Sequence, residues 1–276
     1  MTDALDRIAA ALERLSPPPA PPTDTSAHPA YVWRAGALAA ARGFAALPLD
    51  LVIGVDRQKA LLLDNLQRLA AGHAAQDALL WGARGTGKSA LVKSAVAAVQ
   101  AKDGDLALVE VVEADGLPAL FALLTIVPRA FALFLDDLGF DDPGEARRLR
   151  SVLEGGAEAR PANVRLVVTS NRRHVVARED QPGATVSRDA MDDSLALADR
   201  FGLSLGFHVL DQDGYLAIVA AYAAAHGLTF DAADAVQWAT RRGSRSGRVA
   251  WHYVVELAGR AGRSVDLSAQ GRNPNR

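Results

Sequence analysis

Short apolar runs alternate with segments of helical spacing through the middle of the chain. Five runs have the length and composition of buried strands: 78–81, 106–112, 130–135, 164–169 and 203–210. Helical patterns lie between them, at 88–99, 118–125, 143–153 and 193–199. Because strands that alternate with helices build parallel sheets covered on both faces, the pattern predicts an α/β core with a parallel five-stranded sheet.

The N-terminal part of the chain has a different pattern. Apolar residues recur there at helical spacing and predict an amphipathic helix over 3–15, which we expect to dock on its own domain: Leu5, Ile8, Leu12 and Leu15. The proline-rich segment 16–22 and the polar residues up to Pro29 follow. Since proline fixes φ and removes a backbone donor, this segment predicts a stiff, extended linker.

The strand patterns end near residue 211. Three helical patterns, at 213–226, 231–242 and 247–261, predict a small helical domain at the C-terminal end. The sequence thus divides into four parts: an N-terminal helix and linker (1–47), an αβα core (48–210), a helical lid (211–265) and a tail (266–276).

Composition narrows the function classes. Half of the 276 residues are hydrophobic, and the net charge of −2 provides no global positive field for nucleic acid. The absence of cysteine excludes disulfides, thiolate metal sites and cysteine nucleophiles. No apolar run has the length of a signal peptide core or a membrane span, so we expect a cytoplasmic protein.

Residues 82–89 fit the phosphate-binding pattern G-x-x-x-x-G-K-[ST]: Gly82, Ala83, Arg84, Gly85, Thr86, Gly87, Lys88 and Ser89. A predicted strand precedes this P-loop and a predicted helix follows it, as the pattern requires. The glycines let backbone N–H groups surround a phosphate at a helix N-terminus. We expect Lys88 to reach the β- and γ-phosphates of ATP, and Ser89 to ligate Mg²⁺.

Two carboxylates directly follow the third predicted strand. A buried strand delivers its last residues to the carboxyl edge of a parallel sheet, where nucleotides bind. Asp136 is then expected to hold Mg²⁺ through water, and Asp137 to orient or deprotonate the attacking water. Taken alone, the pair is also typical of a turn or a helix cap.

Three later residues are candidates for contacts with ATP or with the attacking water. Each of them also has a purely structural interpretation. Asn171 ends the fourth strand and is expected to contact the γ-phosphate or the water, or to lie in an ordinary turn. Arg200 precedes the fifth strand, either as an arginine finger or as a surface partner of Asp199. Arg248 opens the last helix and is expected to point at the phosphates, or to lie in solvent.

The order of these motifs resembles the bacterial AAA+ family known as domain of unknown function 815. The resemblance covers about 45–262 and is most specific between Ser151 and His174. The Asp136-Asp137 pair and the Arg200-Phe201-Gly202 element are also similar to those of the initiator DnaA and of loaders of the DnaC and IstB type.

This resemblance implies Mg²⁺-dependent ATP hydrolysis in a homo-oligomer whose active sites lie between subunits. By analogy, Asn171 corresponds to sensor 1, Arg200 to the arginine finger and Arg248 to sensor 2. Ile53 and Gly54 lie where AAA+ chains contact adenine. Asp137 stands where many AAA+ proteins have glutamate, so the expected base is a shorter carboxylate.

Two further patterns point to other chemistry. Gly202 to Gly206 match the nucleophile-elbow pattern G-x-S-x-G, but Ser204 falls within a predicted strand, where no elbow forms. Arginines exceed acidic residues from 236 onward, which indicates either a solvated face or a contact with nucleic acid.

The sequence therefore predicts an AAA+ ATPase that couples hydrolysis to movement of the lid, in order to remodel or load a macromolecular partner. The protein partner is not specified by any motif. Two alternatives stay open: a nucleotide-gated switch with little turnover, and a P-loop kinase of a small molecule.

Overall fold

Seven strands form one sheet in the structure, a computed structural model that describes residues 4, 7, 23–113, 116–138, 152–153, 160–171 and 199–266. The strands are β1 (Ala30–Arg34), β2 (Ala37–Ala40), β3 (Ala78–Gly82), β4 (Leu106–Val111), β5 (Ala130–Leu135), β6 (Val164–Ser170) and β7 (Leu203–Phe207). Their order across the sheet is β2-β1-β4-β5-β6-β3-β7. β1 and β2 are antiparallel, and every other pair of neighbours is parallel.

Helices cover both faces of this sheet. On one face lie α1 (Asp56–Ala70) and α2 (Lys88–Gln100), and on the other lies α3 (Leu117–Thr125). All six residues of β5 are buried. Because both faces of the sheet are covered, β5 is a continuous apolar run without alternation, as the sequence pattern indicated.

The lid consists of α4 (Gln212–Ala225), α5 (Ala232–Arg241) and α6 (Gly247–Arg260), which share a separate hydrophobic core. Each helix begins after a residue whose side chain accepts a hydrogen bond from a backbone N–H of the first turn: Asp211, Asp231 and Ser246. None of the helices in the described ranges is long and apolar enough to cross a membrane.

The α/β architecture and the five predicted parallel strands are confirmed, but the strand number of five is wrong. β1 and β2 extend the sheet and lie within the range 1–47 that was assigned to the helix and linker. Tyr31 and Trp33 of β1 pack into the core. β2 contains only Ala and Leu in four residues, so its pattern was too short to be recognised as a strand.

Some predicted elements lie largely outside the described residues. They are the helices over 3–15, 143–153 and 193–199, and the tail over 266–276.

Candidate functional site

The P-loop joins the end of β3 to the start of α2 at the carboxyl edge of the sheet. Gly87 precedes α2 with a φ of +92°, a conformation that L side chains rarely adopt. The first N–H groups of an α-helix have no partner within the helix, so the N-terminus of α2 favours a bound anion.

One cavity of about 340 Å³ brings most of the predicted site together. It is lined by residues from the P-loop, from the ends of β5 and β6, and from the lid: Leu47, Arg84, Gly85, Gly87, Lys88, Ser89, Ala90, Asp136, Asp137, Thr169, Asn171, Tyr222, Gly247, Arg248 and Trp251. This volume falls within the ~300–1,000 Å³ that is common for small-ligand sites.

Lys88 is held in this cavity by three oxygen atoms. Its Nζ donates to the carbonyls of Gly82 (2.9 Å) and Ala83 (2.8 Å) and to Oδ1 of Asn171 (2.9 Å). Burial lowers the pKa of the Lys88 amine, while the nearby carboxylates of Asp137 and Asp136 act in the opposite direction. The lysine is thus desolvated and held against the P-loop backbone and Asn171.

Asp136 connects the P-loop to the neighbouring strand. Its Oδ1 accepts hydrogen bonds from Ser89 Oγ (2.6 Å) and from Thr169 Oγ1 (2.7 Å). The hydroxyl of Ser89 and a carboxylate thus lie side by side, which is the oxygen donor set that Mg²⁺ prefers.

Asp137 is held in an unusual backbone conformation, with a φ of +56°. Two hydrogen bonds from the turn to β6 fix it: Asp137 N donates to Thr169 Oγ1 (2.8 Å), and Leu138 N donates to the Thr169 carbonyl (2.9 Å). Its carboxylate accepts a hydrogen bond from Nδ2 of Asn171. A strained backbone conformation of this kind persists only where the surrounding contacts hold it in place. Such conformations are frequent at functional sites.

The lid contacts the P-loop directly. Gly247 N donates to the carbonyl of Gly85 at 3.1 Å, and a Cβ at Gly85 would lie only 2.7 Å from Cβ of Ser246. Arg248, the next residue of α6, lines the cavity, and its side chain makes no hydrogen bond within the part of the chain that the structure describes. Its guanidinium therefore has donors available to a ligand in this cavity.

The other end of the cavity is apolar. Leu47, Tyr222 and Trp251 line it, and the two aromatic rings meet edge to face with centroids 6.2 Å apart. Burial raises the pKa of Tyr222 to about 12, so its hydroxyl stays protonated. Such surfaces are suited to a flat heterocyclic ring.

Ile53 and Gly54 are not among the residues that line the cavity. Ile53 packs against the lid core, and a Cβ at Gly54 would meet Leu210 at 3.9 Å. From this part of the chain, Leu47 lines the cavity instead.

Known proteins provide an independent comparison. A family model described as "Protein of unknown function (DUF815)" matches residues 26–261, most of the chain. The chain belongs to this family. No curated protein matches the sequence.

Solved structures share the fold of this DUF815 chain. RuvB of Thermotoga maritima, described as a Holliday junction branch migration motor, is 18% identical, with a TM-score of 0.50 over 80% of this chain and 68% of RuvB. The Orc1 protein of Aeropyrum pernix, solved in complex with DNA, is 16% identical, with a TM-score of 0.52 over 79% of this chain and 66% of Orc1. At these identities the likeness shows the fold alone, and that fold is the P-loop AAA+ type.

Arg200 lies away from the cavity of its own chain. It is exposed, and the following residue, Phe201, is buried in the core. In the parallel register, Leu203 pairs with Ala78 and Phe207 with Gly82, so Arg200 lies at the amino edge of the sheet. Five residues of strand separate that edge from the P-loop by roughly 15 Å.

The G-x-S-x-G pattern has a packing explanation in this DUF815 protein. Ser204 lies in β7, and its Oγ accepts a hydrogen bond from Nε1 of Trp81 (3.0 Å). A Cβ at Gly206 would lie 2.8 Å from the Trp81 ring. The small residues therefore make room for the indole, and no nucleophile elbow is present at Ser204.

Sequence reasoning missed six residues that line the site: Leu47, Ala90, Thr169, Tyr222, Gly247 and Trp251. Two of them, Ala90 and Gly247, directly adjoin predicted site residues. Thr169 precedes the predicted sensor by two positions, at the end of a strand whose neighbour carries the two carboxylates. Its place at that sheet edge was therefore foreseeable. The other three come from distant segments that only the tertiary fold brings together.

Proposed function

We propose that this protein binds Mg²⁺-ATP in the P-loop cavity and hydrolyses it. The observation that carries the proposal is the convergence of a lysine, a hydroxyl, two carboxylates, an amide and a lid arginine on one cavity: Lys88, Ser89, Asp136, Asp137, Asn171 and Arg248. Each has the chemistry that phosphoryl transfer requires.

Binding begins with the phosphates at the N-terminus of α2. Lys88 exchanges its carbonyl partners for β- and γ-phosphate oxygens. This exchange is favourable because the phosphate oxygens carry negative charge and the carbonyl oxygens are neutral. Ser89 and Asp136 would hold Mg²⁺, the carboxylate through water. A metal ion held there would neutralise negative charge on the phosphates.

The adenine ring is proposed to lie against the apolar end of the cavity. Leu47, Tyr222 and Trp251 provide that surface, and two of them belong to the lid. A ligand that contacts both the core and the lid would couple nucleotide binding to the position of the lid.

Hydrolysis is proposed to use Asp137 and Asn171 together. Asp137 accepts a proton from water while the water oxygen bonds to the γ-phosphorus, and the bond from that phosphorus to the β-γ bridging oxygen breaks, leaving ADP and phosphate. Asn171, hydrogen-bonded to both Asp137 and Lys88, would orient the water between them. Arg248 would stabilise charge on the γ-phosphate from the lid side.

Arg200 is proposed to complete the site of a neighbouring subunit. Because it lies at the sheet edge opposite its own P-loop, it does not reach its own nucleotide. Arg200 is exposed and the next residue, Phe201, is buried in the core, which anchors the backbone at this position. A homo-oligomer is therefore part of the proposal.

The proposed use of this cycle is to remodel or load a macromolecular partner. The excess of arginine in the lid is only weak support for binding of nucleic acid. Some of these arginines already form ion pairs or hydrogen bonds within the lid. Arg260 pairs with Glu256 and Asp234, and Arg263 donates to the carbonyl of Gly227. Near the end of α5, Arg242 stacks on the Trp238 ring at 3.8 Å, and the exposed Arg241 and Arg245 form only a small patch beside it.

Phosphate release from Mg²⁺-ATP, measured without any acceptor, tests this proposal against its alternatives. We expect Asp137→Asn to bind Mg²⁺-ATP but to release phosphate on the order of a hundredfold more slowly, the usual scale for loss of a general base. Asp136→Asn should instead weaken the Mg²⁺ dependence of binding. Unchanged turnover in Asp137→Asn would contradict the assigned base.

The same assay separates the alternatives. A nucleotide-gated switch would bind Mg²⁺-ATP and release almost no phosphate, with or without added macromolecules. A small-molecule kinase would form ADP only when an acceptor is supplied.

A further inference from the structure

The outward face of α3 is apolar along its whole length. Between Gly116 and Pro128 the chain contains no charged residue, although most of these positions are exposed. Exposed residues of this face recur at the spacing of a single helical stripe: Ala119, Ala122, Leu123 and Ile126. Ile126 is 84% exposed and Leu123 38%.

Helix α1, on the other sheet face, differs in this respect. The exposed positions of α1 are largely charged, as expected for a face in contact with water: Asp56, Arg57, Asp64 and Arg68. A helix that is apolar on all sides is usually buried. The outward stripe of α3 is thus an apolar surface that no described residue covers.

The chain itself supplies a matching element, and its linker leads to this face. Arg129, three residues beyond Ile126, donates from Nη1 to the carbonyls of His28 (2.7 Å) and Ser26 (3.1 Å). The carbonyl of Asp24 accepts from the hydroxyl of Tyr31 (2.8 Å), which is buried in the core on the α3 side of the sheet. The chain after the linker is thus fixed beside the C-terminal end of α3.

We propose that residues 3–15 form an amphipathic helix that packs on the outward stripe of α3. The seven residues 16–22 can span about 20 Å as an extended proline-rich segment, whereas α3 is only about 14 Å long. The apolar stripe over residues 5–15 is then buried against the apolar stripe of α3, and the small Ala119 and Ala122 allow close approach.

Hydrogen exchange on the full chain tests this docking, because an isolated helix of 13 residues is marginal in water. We expect Ile8→Asp to raise amide exchange over 3–15 and 117–126 at least roughly tenfold, since it places a charge in the interface. The matched control, Arg7→Asp, introduces the same residue at the adjacent, exposed position and should leave both segments protected.

A reciprocal pair on α3 keeps the test independent of changes in the N-terminal segment. Ile126→Asp should raise exchange over 3–15, whereas its exposed neighbour Thr125→Asp should not. Equal exchange in all four variants and the parent would overturn the proposal. Protection of 117–126 that appears only at high protein concentration and persists in Ile8→Asp would also overturn it, because a second copy would then cover the face.

Discussion

At the scale of single residues, the site depends on Lys88 and the two carboxylates that follow β5. Lys88 is buried, and its charged form is partly supported by carbonyl oxygens that carry no full charge. Bound phosphates would supply full negative charge in their place. The surroundings of this lysine are therefore electrostatically suited to an anion.

A pH dependence of ATP affinity follows from the lowered pKa of Lys88. In the free protein this pKa lies below 10.5, and the phosphates should raise it, so binding takes up a proton in the interval between the two values. Affinity should then fall by up to roughly tenfold per pH unit as the pH rises through that interval. Calorimetric titrations of the parent should show this slope, and Lys88→Ala should lose it. An equal slope in both proteins would remove Lys88 as its cause.

At the scale of elements, the P-loop and α6 are in direct contact. Gly85 has a φ of +77° and approaches Ser246 closely, whereas Gly87 has a φ of +92° and open space within 4 Å of the position that a Cβ would take. Substitution of either glycine by alanine strains the backbone. Only the substitution at Gly85 also brings a Cβ against Ser246 of the lid.

We therefore expect Gly85→Ala to be the more destabilising of the two in the nucleotide-free protein. Both should lose about 1–3 kcal/mol of unfolding free energy from backbone strain, and Gly85→Ala should lose at least ~1 kcal/mol more from the clash with Ser246. Urea denaturation measures the difference. Equal losses would mean that the lid does not rest on the P-loop in solution.

The sequence pattern predicted those elements whose structure depends on residues close together in the chain. The P-loop, the strand β5 and the lid helices could be predicted because glycines, continuous apolar runs and capping residues determine them within a few positions. β2 could not, because a four-residue edge strand of Ala and Leu carries little signal. The apolar end of the cavity could not be predicted either, since Leu47, Tyr222 and Trp251 meet only through tertiary packing.

At the scale of the whole molecule, the proposed oligomer with shared sites depends on Arg200. We expect Arg200→Ala to keep ATP affinity and to lose hydrolysis on the order of a thousandfold, because a finger meets charge that develops in the transition state. Mixing Arg200→Ala with Asp137→Asn should restore part of the phosphate release, since one mixed interface combines an intact finger with an intact base. No rescue, together with a rate per chain that is independent of concentration, would place the complete site within one chain.

Binding of Mg²⁺-ATP in the P-loop cavity underlies every other proposed step, and one titration tests it most directly. Lys88 and Lys93 lie on the same helix, but Lys93 pairs with Glu110 at 3.4 Å and does not line the cavity. Lys88→Ala should weaken Mg²⁺-ATP binding by at least roughly tenfold, about 1.4 kcal/mol, whereas Lys93→Ala should bind as the parent does. Equal affinity in all three proteins would contradict nucleotide binding through the P-loop lysine.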